Sequence, residues 1–153
     1  MTVASRTGTV QAICISQTKG VLKREVPRAE LRADHGLVGD AHAGCGHRQV
    51  SLLATESIAR MRALIPDLAH GAFAENLVTA DVDLSDLPLG TRLRVGDAVL
   101  EVTQIGKECH QGCAIREITG DCIMPREGVF CRVLAGGAIA PGDAVIREDA
   151  AGA

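Results

Sequence analysis

The sequence holds no tryptophan, no tyrosine and only two phenylalanines, Phe73 and Phe130, in 153 residues. Its core must then be built from Val, Leu, Ile and Ala, and ring stacking is removed as the means of recognising a ligand. The same lack, with 16 Lys+Arg set against 19 Asp+Glu and a net charge of −3, argues against the aromatic platform and basic groove of a single-stranded nucleic-acid binder. No nucleic-acid partner is expected. A local basic pocket stays open, because net charge does not say how arginines cluster. Long apolar runs are missing too: no window reaches the ~18 consecutive apolar residues of a membrane span, and residues 1–10 lack the basic and apolar regions of a secretory signal. The expectation is a cytoplasmic chain with no membrane partner.

What is present is one domain's worth of sequence, 46% hydrophobic and 23% charged. We read residues 1–153 as one domain, with a core over about 8–148 and a frayed tail at 149–153. Six cysteines, Cys14, Cys45, Cys109, Cys113, Cys122 and Cys131, are expected as thiols in a reducing compartment. Four of them fall between positions 109 and 131, the first hint of where chemistry lies.

Along the chain, GTVQAICIS (8–16) reads as a first strand that exits through Ser16-Gln17-Thr18 and turns at Lys19-Gly20, with 21–34 continuing as a hairpin. The run DHGLVGDAHAGCGHR (34–48), with four glycines, three histidines and two aspartates, suits a long functional loop with unusual backbone angles. Val50 to Leu53 is a short apolar run. Thr55 is placed to cap a helix in which Ile58, Met61, Leu64 and Ile65 recur at helical spacing, ended by Pro66. Phe73 to Thr79 reads as a strand entry, 86–97 alternates short apolar stretches with turn signals, a strand follows from Ala98 to Ile105, an apolar segment lies around Val129 to Leu134 before a Gly136-Gly137 turn, and a last strand runs from Ala144 to Arg147. The fold class is mainly β with a few short helices, arranged as a barrel-like domain.

Lys107-Glu108-Cys109-His110 is the densest reactive cluster. A nearby cation lowers a thiol's pKa, and the thiolate is the form that attacks sulfur, binds soft metals or carries a persulfide. The plain alternative is a buried apolar Cys109 beside a solvated Lys107. Cys109, Cys113, Cys122 and Cys131 could ligate zinc or an iron-sulfur cluster, but intervals of three, eight and eight residues lack the tight pairs of such sites. Cys131 and Cys14, in apolar runs, read as core. The loop histidines His35, His42 and His47, with Asp34 and Asp40, match no metal signature. Arg48 and Lys19 are better used as donors to phosphate or oxyanion oxygens, or stand as ordinary surface charges.

The segment GKECHQGCAIREITGDCIMPREGVFCRVLAGGAIAPGD (106–143) closely resembles the C-terminal motif of stand-alone MOSC-domain proteins, a family named for the C-terminal domain of molybdenum-cofactor sulfurase. GxVxxI at 8–13, Ser16 with Lys19-Gly20, GLVGDAHAG at 36–44, HRQVSLL at 47–53, FAENL at 73–77 and LPLGTRLRVGDAVLEVTQ at 87–104 agree in order. The resemblance implies a β-barrel-like MOSC fold and work around the molybdenum cofactor (molybdopterin) and sulfur. The family's characteristic cysteine corresponds to Cys109. One departure is Cys45-Gly46, where the family usually has a Trp ahead of His47. It removes an apolar wall and adds a thiol that could pair with Cys109.

From the resemblance, Cys109 would act as a persulfide carrier or as a metal ligand, with Lys107 and His110 tuning its thiolate. Lys19, Asp40, His42, His47, Arg48 and Asn76 would form the cofactor-binding wall. A cysteine desulfurase that uses pyridoxal phosphate would donate the sulfur, and a molybdoenzyme or a cofactor-biosynthesis protein would accept it. The rival readings are a molybdenum-dependent reductase component for N-hydroxylated compounds and a non-catalytic cofactor-binding module. With no flavin, nicotinamide or iron-sulfur motif, the former would need an added reductase.

Overall fold

The computed structural model describes residues 7–18, 23–41, 43–44, 46, 48–63, 66, 69–71, 73, 75–84, 87–106 and 128–148. Among them, eleven strands and one helix follow in the order β1 (Thr7–Ile15), β2 (Arg24–Val26), β3 (Ala29–Arg32), β4 (Gly36–Leu37), β5 (Val50–Ala54), α1 (Thr55–Arg62), β6 (Leu77–Ala80), β7 (Arg92–Val95), β8 (Ala98–Ile105), β9 (Val129–Ala135), β10 (Gly137–Ile139) and β11 (Ala144–Glu148). The main sheet runs β11-β7-β8-β9-β5-β6-β1-β2, and a further pairing of β11 with β1 closes seven of these strands into a barrel. Every pairing around it is antiparallel except β5 with β6, whose parallel register (Leu52↔Leu77) is permitted by the crossover through α1. β10, β3 and β4 form a small second sheet.

Alternation along the strands sorts their side chains into two clusters. Val50 and Leu52 of β5, Leu100 and Val102 of β8, and Val129, Cys131 and Val133 of β9 share the cluster that fills the barrel. Leu53, Val78 and Phe130 face outward, where Ile58 and Met61 of α1 cover them. Both phenylalanines lie in this outer cluster, so the barrel interior is aliphatic, as the composition predicts. In β1 a register shift between Val10 and Ala12 lets Val10 and Ile13 face inward while Ala12 and Cys14 face α1.

Three local expectations are corrected. Thr55 does not cap α1: it is the first helical residue, Ala54 holds the cap position in extended geometry, and no side chain caps the end. Residues 21–34 do not make one hairpin. β2 pairs with β1, whereas β3 belongs to the small sheet, where it pairs with β4 across a short local turn (Leu31↔Leu37) and with the distant β10 (Leu31↔Gly137). Gly136-Gly137 is not a turn, since Gly137 already belongs to β10. Gly136 alone steps from one sheet to the other, and a Cβ on it would come 2.5 Å from the Leu31 carbonyl oxygen.

Candidate functional site

The glycine-rich loop 34–48 takes the unusual angles its composition predicts: φ is +53° at Asp34, +128° at Gly36, +89° at Gly39, +77° at Gly44 and +58° at Gly46. Gln49 holds its base. The buried amide receives the Val133 N–H on its oxygen (3.0 Å) and donates to Asp34 Oδ1 (3.2 Å) and the Gly46 carbonyl (3.0 Å). The middle of the loop is tied to the end of β1. Asp40 Oδ1 accepts from Lys23 Nζ at 2.7 Å and from the Ser16 N–H at 3.1 Å, and the Ala41 N–H donates to the Ser16 carbonyl at 2.7 Å. Lys23 Nζ also donates to Ser16 Oγ (3.2 Å), and the Lys23 and Asp40 side chains are both 0% exposed.

Arg48 emerges from this loop exposed, its guanidinium carbon 6.0 Å from the centre of the Phe130 ring. A ring face restrains a guanidinium by cation–π attraction without using the in-plane N–H groups that grip an oxyanion. Phe130 stands where β8 and β9 part company. It pairs with Gln104 after a register shift between Val102 and Gln104, and its carbonyl accepts from Thr103 Oγ1 at 3.1 Å. Two residues on, the Gly106 N–H donates to the Gly128 carbonyl at 2.7 Å, with Gly106 at φ +68° and its carbonyl held by Gln104 Nε2 at 2.7 Å. Gly106 and Gly128 thus form a neck, and Gly128 stands two residues ahead of Phe130, whose ring the exposed Arg48 overlies. Lys107, Cys109 and His110, in the segment 107–127 between these two glycines, lie outside the described residues, as do Lys19, His42 and His47.

Asn76 is 1% exposed and joins three strands. Its Oδ1 accepts the Ser51 N–H (3.0 Å) and hydroxyl (3.2 Å), its Nδ2 donates to the Cys14 carbonyl (3.0 Å), and its own N–H donates to the Ser51 carbonyl (3.1 Å). The neighbouring Glu75 is fully buried and accepts the N–H groups of Gly71 (2.9 Å) and Phe73 (3.0 Å). Burial pushes its carboxyl above the usual range, while these N–H groups, its own N–H and His70 pull it back. The outcome is a net upward shift.

Of the predicted site residues, the described ones are therefore Arg48, which is exposed, and Asp40 and Asn76, which are buried and hydrogen-bonded to protein groups. Lys23, Gln49 and Glu75 were not singled out by sequence reasoning. Lys23 could have been found from the chemistry of burial: a lysine beside a strand needs a carboxylate, and Asp40 is the acid of the glycine-rich loop. Cys14 and Cys131 are buried free thiols, in keeping with their reading as core. Burial, followed by the charges of Glu75 and Glu25 and opposed by Lys23, raises Cys14 to about 12. Burial, then Glu101, also raises Cys131. Among the described residues no group of three His, Cys, Asp or Glu side chains is placed to hold a metal, and no helix is long and apolar enough to cross a membrane.

The family model described as the MOSC domain matches residues 39–146. The fold is similar to the crystal structure of the YuaD protein from Bacillus subtilis, with 18% identity and a TM-score of 0.77 over 92% of this chain and 95% of that one. It is also similar to YiiM from Geobacillus stearothermophilus (19% identity, TM-score 0.65, 92% of this chain and 75% of that one) and from Escherichia coli (18%, 0.64, 92% and 70%). No curated protein matches the sequence.

Proposed function

The chain belongs to the MOSC-domain family, and from that premise we propose that it binds the molybdenum cofactor, a related oxyanion or a sulfur species, with Cys109 as its reactive thiol. One observation carries this reading: Arg48, rising from the glycine-rich loop, is held over Phe130 beside the neck from which the Cys109 segment departs. Cys109 follows Gly106 by three residues in the sequence. An exposed guanidinium near that neck and a thiolate close along the chain would together supply the pairing needed to hold an oxyanion or phosphate and react at sulfur.

In the carrier form the Cys109 thiolate attacks the terminal sulfur of a donor persulfide. The sulfur–sulfur bond of the donor breaks, its cysteine leaves as a thiolate, and Cys109 keeps the sulfur as a persulfide for an acceptor. Lys107 and His110 would tune the thiolate, since a nearby positive charge lowers a thiol's pKa. The same residue types, cationic and imidazole donors with a soft thiolate, support a second form in which the molybdenum cofactor binds. Arg48, Lys19, His42 and His47 would hold its phosphate, Cys109 would ligate the metal, and Asp40 and Asn76 would shape that wall from behind. When bound, the cofactor supplies a redox-active metal. A cysteine desulfurase as donor and a molybdoenzyme or cofactor-biosynthesis protein as acceptor complete the proposal.

The test is intact-mass analysis of wild type and Cys109→Ala after incubation with a cysteine desulfurase and cysteine, with metal and pterin analysis of the same samples. A gain of one sulfur that requires Cys109 supports the carrier. Molybdenum and pterin that co-purify with wild type and vanish in the variant support the metal ligand. Neither result in wild type refutes both forms.

A further inference from the structure

The Lys23–Asp40 ion pair needs a reason other than stability. Two charges 2.7 Å apart with side chains 0% exposed have lost their water, and such pairs are often matched or exceeded in stability by apolar residues of the same volume. What an apolar pair would not supply is direction. Asp40 Oδ1 meets Lys23 Nζ and the Ser16 N–H at one point, Lys23 Nζ reaches back to Ser16 Oγ, and Ser16 Oγ donates to the Thr18 carbonyl. The Ala41 N–H closes onto the Ser16 carbonyl, and the Lys23 N–H onto that of Gly71. The knot thus joins the exit of β1, the middle of the glycine-rich loop and the turn ahead of Glu75. The loop needs such a tie: four of its glycines sit at positive φ, and at Gly39, Gly44 and Gly46 a Cβ would meet nothing within 4 Å, so packing does little to hold it there.

We propose that Lys23 and Asp40 are a positioning pair that fixes the glycine-rich loop 34–48 against the exit of β1 and so presents Arg48 in one place. The link to anion binding rests on the function proposed above. The ordering of the loop does not.

The experiment compares wild type with Lys23→Met, Asp40→Leu and the double variant, reading thermal unfolding, amide hydrogen exchange across residues 34–48, and the affinity for inorganic molybdate as an oxyanion probe. Each single variant strands a buried charge and should lower Tm. The double variant removes both charges and should recover most of that loss. A role in stability alone predicts that exchange recovers with Tm. A positioning role predicts that the double variant keeps its Tm while the loop amides exchange at least ~10-fold faster and molybdate affinity falls by ~10-fold, the scale of loss when a supporting contact behind a binding group is removed. Wild-type exchange in a double variant of wild-type Tm overturns the proposal, as does faster exchange with unchanged molybdate affinity. If wild type binds no molybdate, the link to anion binding falls, and loop exchange alone then upholds or overturns the positioning of the loop.

Discussion

Replacing Asn76 by alanine should cost the barrel a large part of its stability, and the structure says how much. The side chain is 1% exposed, is the acceptor for the Ser51 N–H and hydroxyl, and donates to the Cys14 carbonyl, so Asn76→Ala strips partners from buried main-chain groups on two strands, β5 and β1. Each such group left without its bond costs about 1–3 kcal/mol, and two make about 2–6 kcal/mol. Against a usual total of about 5–15 kcal/mol that is severe. Denaturant titration gives the free energy, and the melting point should drop by about 10 °C for a domain of this size. Ser51→Ala is the internal standard: it keeps the Ser51 N–H bond to Asn76 and should cost only about 1 kcal/mol. A loss below about 1 kcal/mol in Asn76→Ala would refute this account of buried main-chain groups. Loss of cofactor binding with an unchanged melting point would instead mean that Asn76 serves the ligand directly.

The Thr79 hydroxyl is buried with no hydrogen-bond partner, so Thr79→Val should be neutral or stabilising by up to about 1 kcal/mol in denaturant titration, and a loss of that size would contradict it. Cys14 keeps its proton to about pH 12 when folded, whereas an unfolded thiol ionises near 9.0. The unfolded state therefore binds fewer protons between these values, and stability should fall with rising pH there by up to about 1.4 kcal/mol per unit. Cys14→Ala should show a shallower fall. Arg48→Ala removes an exposed side chain and should change stability by less than about 1 kcal/mol while weakening molybdate binding in calorimetry; equal binding would remove Arg48 from the site.

Strands carrying their own pattern were legible from the chain. β8 spans Ala98–Ile105, the bounds read from the sequence, and β1 ends within a residue of the first strand read from its β-branched run. Short elements were not. β4 and β10 have two and three residues and flank β3: β4 joins it across a local turn but is too short to carry a pattern, and β10 joins it by a long-range pairing with no local signal. The same physics divided the site. The glycine-rich loop and its Arg48 were visible as composition, but their meeting with Phe130 depends on the register Val50↔Cys131 between β5 and β9. Lys23 and Asp40, 17 positions apart, meet only because the chain doubles back on the end of β1.

The pairing of Thr7 with Ile146 and of Thr9 with Ala144 makes the first strand wait for the last. While this chain emerges from a ribosome, β1 and β7 each keep an unpaired edge until β11 has been made, however much polypeptide precedes or follows. Its ring of hydrogen bonds is therefore completed after synthesis has passed Glu148, and a nascent chain stalled before Ala144 would offer two sticky edges to chaperones or to its neighbours on the same message.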